Sequence, residues 1–94
     1  MTEKLIREVV LLNKYGMHVR PAGLFARHAS QFDAEIIVDK DGNVVSGKSI
    51  MALMTLEAVC GTKLKIIAEG PQAREAIDDL TALVERKFDI PDEQ

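Results

Sequence analysis

Apolar residues recur along this chain at two different periods, and the changes of period mark its elements. Val9-Val10-Leu11-Leu12 closes a run of strand character over residues 5–12. Alternation sets Val9 and Leu11 on one face and Val10 and Leu12 on the other without deciding between them; Val9 and Leu11 are taken as the buried pair. Ala22, Phe25, Ala26, Ala29 and Phe32 then recur at steps of three and four, which predicts a helix over 19–31. Residues 34–40 alternate again, with Ile36 and Val38 set against Glu35 and Asp39. Asp41-Gly42 is a tight hairpin signal because Gly supplies the positive φ such turns need, and residues 43–46 return as a short strand. Ser49 opens a second helix over 50–57, and 58–61 read as a loop. Leu64, Ile66 and Ala68 form one face of a strand over 63–69, with Lys63, Lys65 and Glu69 on the other. Gly70-Pro71 ends it. Ala73, Ala76, Ile77, Leu80, Leu83, Val84 and Phe88 then make the clearest 3.6-residue stripe in the chain. Residues 89–94, with Pro91 and three acids, read as a frayed tail.

The order is βαββαβα in a single domain, 1–94. One apolar stripe per helix and alternating strands imply an α+β fold with helices on one side of an antiparallel sheet. The apolar fraction of 47% suffices for one packed layer of helices on that sheet. A formal net charge of −3 argues against nucleic acid as a partner, which requires a basic face. No apolar run approaches the ~20 residues that span a bilayer, so no membrane insertion is expected. No secretory leader is visible. A lone cysteine, Cys60, cannot form an internal disulfide and suits a reducing cytoplasm. Its simplest role is as a small apolar loop or core residue.

The candidate chemistry lies in Gly16-Met17-His18-Val19-Arg20-Pro21-Ala22-Gly23. Residues 13–16 form a loop between the first strand and the first helix, and His18 stands where that loop enters the helix. Pro21 fits the first helical turn. The residue before a proline is biased away from the α region, so Arg20 is expected to be extended. His18 and Arg20 then flank a helix N-terminus, whose unpaired N–H groups and partial positive charge attract anions. Neutral imidazole is a nucleophile at physiological pH, and a guanidinium offers charge-assisted hydrogen bonds to phosphoryl oxygens. Taken alone, the same residues would also suit an ordinary loop histidine beside a surface arginine.

The stretch resembles the phosphohistidine motif of the HPr family, phosphocarriers of the sugar phosphotransferase system, with the pattern Gly-(Leu/Ile/Met)-His-(Ala/Thr)-Arg-Pro-Ala. Lys48-Ser49-Ile50-Met51, followed by Leu53, Met54 and Leu56, resembles the family's second landmark, a serine opening a short helix. Gly61-Thr62 before a strand and an amphipathic C-terminal helix also match. Val19 departs from the pattern on the rim of the implied docking surface, where it bears on partner preference. The resemblance implies an open-faced β-sandwich of four antiparallel strands with three helices on one face. It implies a carrier, rather than a stand-alone catalyst, that takes a phosphoryl group on His18 from enzyme I, charged by phosphoenolpyruvate. The group passes to IIA domains of the sugar-specific enzymes II. No cofactor and no metal are implied, and a monomer is expected. Asn13-Lys14, Phe32-Asp33-Ala34-Glu35, Gly70-Pro71-Gln72 and Phe88-Asp89 resemble the nitrogen-branch paralogue NPr, whereas Lys48-Ser49-Ile50-Met51 leans to the sugar branch. A Crh-like regulator, which lacks the histidine, is excluded by His18.

Two decoys need weighing. Residues 42–49, Gly42-Asn43-Val44-Val45-Ser46-Gly47-Lys48-Ser49, satisfy the nucleotide-binding pattern G-x-x-x-x-G-K-[ST]. That pattern requires a buried parallel strand upstream and a loop that wraps phosphates. Asp41-Gly42 instead signals a hairpin, and Val44-Val45 read as strand. His18, His28 and Cys60 show no metal-ligand spacing, and His28 is expected to face solvent or the helix flank.

Ser49 is at minimum a helix N-cap. The resemblance makes it also a regulatory phosphorylation site where an HPr kinase/phosphorylase exists. Ile50, Met51 and Met54 are expected to form an exposed apolar patch beside His18, with adaptable methionines suited to several partners. Leu53 and Leu56 belong to the core. Val19, Gly23, Lys48, Ile50, Met51 and Met54 are the expected docking residues.

Overall fold

A computed structural model describes residues 3–93. Four strands are present: β1 (Glu3–Val10), β2 (Glu35–Lys40), β3 (Asn43–Ser46) and β4 (Lys63–Gly70). Three α-helices accompany them: α1 (Val19–Ala29), α2 (Ile50–Met54) and α3 (Ala73–Glu85). All pairings are antiparallel, in the order β1-β4-β2-β3. The expected α+β open-faced sandwich is therefore the fold observed.

The register explains which sheet face is covered. Val9 stands opposite Leu64, and Arg7 opposite Ile66, which also faces Val38. Ala68 lies between Leu5 and Ile36. The period of two puts Val9, Leu64, Ile66, Ala68, Ile36 and Val38 on one side, where all are buried. The stripes of α1 and α3 close over them, through Ala22, Phe25, Ala26 and Ala29 and through Ile77, Leu80, Leu83 and Val84. As expected, Leu11 is buried while Val10 and Leu12 are exposed.

Asp41 and Gly42 both take positive φ, 51° and 92°, forming the expected hairpin between β2 and β3. The nucleotide-loop pattern is thereby divided among a tight turn, an antiparallel edge strand and a helix cap. Gly47 is required for another reason: a β-carbon there would stand 2.6 Å from Ile36 Cγ2. The chain leaves the sheet edge too close to the core for any side chain.

Three expected boundaries shift. α1 ends at Ala29, and Phe32 packs against the core from beyond the helix. α2 is shorter than expected: the Thr55 hydroxyl donates back to Ala52 O at 2.5 Å, and Glu57 turns left-handed at φ 50°. Residues 89–93, expected to fray, instead belong to turns. Lys87–Asp89 and Pro91–Glu93 are single 3-10 turns, and the intervening Ile90 is only 2% exposed. Phe88 is buried as expected, but from the first of these turns rather than from α3. Apolar burial at positions 88 and 90 outweighs the polar composition around them. Residue 94 lies outside the described residues.

Candidate functional site

The loop ahead of α1 is fixed from within and from below. Gly16 takes φ 67°, and a β-carbon there would come within 2.3 Å of Ala58 O. The buried Asn13 side chain donates from Nδ2 to Gly16 O at 2.7 Å, and Gly16 N–H donates to Asn13 O at 3.2 Å. Met17 N–H reaches Ala58 O at 2.8 Å, and its side chain is buried. Leu11 and the segment around Gly61-Thr62 exchange backbone hydrogen bonds beneath, at 2.7 and 2.9 Å. The backbone on either side of position 17 is thus held in place, and His18 follows at a determined position.

His18 is the N-cap residue of α1, with extended backbone at φ −91° and ψ −169°. Its N–H donates to Gly16 O at 3.0 Å, and its carbonyl accepts the first helical bond from Ala22 N–H at 2.9 Å. Helical geometry leaves the amides of residues 19 and 20 without intrahelical acceptors, and Pro21 has no N–H to offer. The half-buried imidazole meets the Tyr15 ring edge-on at a centroid distance of 6.1 Å. Lys14 Nζ stands 5.2 Å from the other partner of that contact, the Tyr15 ring centre.

Arg20 corrects an expectation. It lies inside α1 rather than in extended chain. The pre-proline bias is a steric preference rather than a prohibition, and it yields here to the helical turn that Ala22 N–H closes on His18 O; Pro21 itself costs no intrahelical bond in a first turn. The extended residue is His18 itself. The guanidinium is exposed, and its Nη1 lies 3.6 Å from Asp92 Oδ1. Asp92 was assigned no role by its position in the sequence, because nothing local links residue 92 to residue 20.

The remaining candidates divide between α1 and α2. Ser49 caps α2, its Oγ accepting from Ala52 N–H at 3.2 Å. Ile50, Met51 and Met54 are 42%, 81% and 41% exposed, and Leu53 and Leu56 are buried, as expected. A β-carbon at Gly23 would stand 3.9 Å from Ile50 Cδ1, so the Gly23 side of α1 and the start of α2 share one surface. Val19 is exposed at its edge. A depression lined by Val19, Arg20, Gly23, Leu24 and Arg27 runs along it. Lys48 is directed elsewhere, its Nζ reaching Phe32 O at 3.3 Å. His28 does not simply face solvent: its Nδ1 lies 2.7 Å from Asp79 Oδ2 on α3. Cys60 is exposed in its loop, with Sγ 3.7 Å from Leu12 O.

Residues 5–86 match the family described as "PTS HPr component phosphorylation site". The chain belongs to the HPr family. The phosphocarrier protein HPr of Vibrio cholerae is 44% identical over 80 residues, covering 85% of this chain and 94% of that protein. Phosphocarrier protein NPr of Shewanella violacea is 40% identical over 86 residues, covering 92% and 94%. A crystal structure of HPr from Thermoanaerobacter tengcongensis superimposes with a TM-score of 0.88 at 42% identity, covering 92% of this chain and 97% of that one. This HPr-family chain is accordingly a phosphocarrier protein of the phosphotransferase system. Its partners are proteins of that system. The two phosphocarrier relatives differ by a few per cent in identity, so likeness alone does not choose between branches. No helix among the described residues is long and apolar enough to cross a membrane.

Proposed function

We propose that His18 carries the phosphoryl group, that enzyme I supplies it and that IIA domains of sugar-specific enzymes II receive it. The supporting observation is the placement of His18 at the N-cap of α1 with Arg20 in the same first turn. In the transfer, the imidazole Nδ1 lone pair attacks phosphorus. A new N–P bond forms as the donor's bond to phosphorus breaks, and the departing electron pair returns to the donor. The phosphoryl oxygens would be met by the amides of residues 19 and 20 and by the Arg20 guanidinium. Most of the catalytic machinery belongs to the partners, and no cofactor or metal takes part. Incubation with phosphoenolpyruvate and enzyme I should give an acid-labile, base-stable adduct that is lost in His18→Ala. Label persisting in that variant would overturn the assignment.

Val19, Gly23, Ile50, Met51 and Met54 serve as the docking face, with Lys48 at its margin. Ser49 is the regulatory position, open to an HPr kinase/phosphorylase in cells that have one. A phosphate there would set a charge of about −1.5 to −2 within a contact that must desolvate. The protein acts in the cytoplasm, and as a monomer, whose molar mass light scattering would check. The nitrogen-branch role remains the second reading, carried by the NPr-like segments around Asn13, Phe32, Gly70 and Phe88. Comparing transfer rates from the enzyme I of each branch separates the two.

A further inference from the structure

Asn13 is 0% exposed, although a buried carboxamide costs free energy unless its hydrogen bonds are met. In a segment whose Leu11, Gly16 and Met17 are also buried, burial alone would be served by an apolar side chain. The amide is directed instead at the loop that carries His18. Its Nδ2 donates to Gly16 O at 2.7 Å, and the Asn13 carbonyl accepts from Gly16 N–H at 3.2 Å, so Asn13 engages both polar groups of Gly16. The His18 N–H donates to the same Gly16 oxygen at 3.0 Å. On the opposite edge of that peptide, Met17 N–H donates to Ala58 O at 2.8 Å. The peptide plane between positions 16 and 17 is therefore held at both edges.

Of these bonds, only the one from Asn13 Nδ2 depends on a side chain, and it is the shortest. The His18 N–H bond spans two positions, the reach of a γ-turn, and constrains little beyond Met17. Asn13 ties the start of the loop to the peptide that leads into the histidine. We propose that Asn13 is a positioning residue for phosphoryl transfer. By holding Gly16 O it fixes the direction in which the chain enters His18, and so sets the imidazole against the amides of residues 19 and 20 at the start of α1. It acts through the Gly16 peptide and, being buried, lies outside any partner contact. This rests on the reading that His18 carries the phosphoryl group. A misplacement of about 1 Å can cost roughly 100-fold in rate. Loosening one peptide should cost about tenfold, and the loss should fall on kcat rather than on KM.

The test follows transfer from enzyme I at rising concentrations of the intact carrier. Asn13→Leu keeps a branched side chain of similar size and removes its donor. It should lower kcat about tenfold and leave KM for the carrier unchanged, because no docking residue is altered. Ile77→Val, a core change on α3, is the control: it lowers stability and should leave kcat unchanged. An unchanged kcat in Asn13→Leu, or an equal loss in Ile77→Val, would overturn the proposal. Two NMR measurements need no enzyme I. In the unaltered protein, a scalar coupling across the hydrogen bond should join Asn13 Nδ2 to the Gly16 carbonyl carbon, and its absence would overturn the proposal even if Asn13→Leu failed to fold. In folded Asn13→Leu, the N–H residual dipolar couplings of Met17 and His18 should change while those of β4 do not, and unchanged values at both would count equally against it. Failure of enzyme I to label His18 in the unaltered protein would count instead against the functional reading.

Discussion

At Gly16 one hydrogen atom decides whether the histidine can be presented. Its φ of 67° and the 2.3 Å approach of a notional β-carbon to Ala58 O leave no room for a side chain. Gly16→Ala should cost about 2–4 kcal/mol, combining left-handed strain with a backbone clash, and denaturant unfolding measures it. Thr81 presents the opposite case. It is buried on α3, and no partner for its Oγ1 is found among the described residues. Exchanging that hydroxyl for a methyl removes an unmet polar group without changing shape, so Thr81→Val should leave stability unchanged or raise it by about 1 kcal/mol. Arg20 belongs to neither class, because its guanidinium is exposed and packs into nothing. Arg20→Glu should slow transfer to His18 at least tenfold, equivalent to ~1.4 kcal/mol of barrier, with an unchanged Tm. A large fall in Tm would make Arg20 structural.

Among the elements, α2 is the one whose surface and stability separate most cleanly. Only one of its five residues, Leu53, is buried, and its start depends on the Ser49 cap. Ser49→Ala should lower stability by ~1 kcal/mol while leaving phosphoryl transfer near normal. Ser49→Asp keeps an acceptor for the cap, so the Tm should stay within a few degrees. Enzyme I affinity should nevertheless fall, because a carboxylate would have to enter the proposed docking contact. Titrating enzyme I against both variants checks this, and equal affinities would place α2 outside the docking face. α1 and α3 are joined differently, by the 2.7 Å contact of His28 with Asp79. The two side chains are 27% and 35% exposed. A double-mutant cycle on them should therefore show coupling of about 0.5–1.5 kcal/mol, between exposed and buried pairs.

For the whole molecule, the sheet order β1-β4-β2-β3 makes the last strand added a central one, so β1 waits for β4 before it can join the β2–β3 hairpin in one sheet. The C-terminal strap of residues 87–93 completes the same core. Phe88, beyond the family match, is 1% exposed. Phe88→Ala should therefore destabilise the entire domain by about 3–5 kcal/mol, visible as a single cooperative shift in thermal unfolding. A loss below about 1 kcal/mol would mean the strap is peripheral.

Much of this architecture could be read along the chain because it depends on local periods. Alternation in β1, β2 and β4, the stripes of α1 and α3, the Asp41-Gly42 turn and the Ser49 cap each follow from neighbours a few residues apart, and each is found where expected. His18 and Arg20 were conspicuous for the same reason, being set by a loop, a proline and a helix start within five residues. Contacts across long separations were not legible. Ala58 under Gly16, Asp79 beside His28 and Asp92 against Arg20 stand 42, 51 and 72 positions apart. The tail illustrates the limit: acids and Pro91 made residues 89–94 look solvent-bound, but Ile90 found an apolar cleft that exists only once α1 and α3 have closed over the sheet. Burial there depends on surfaces assembled by the rest of the chain, and no local pattern encodes them.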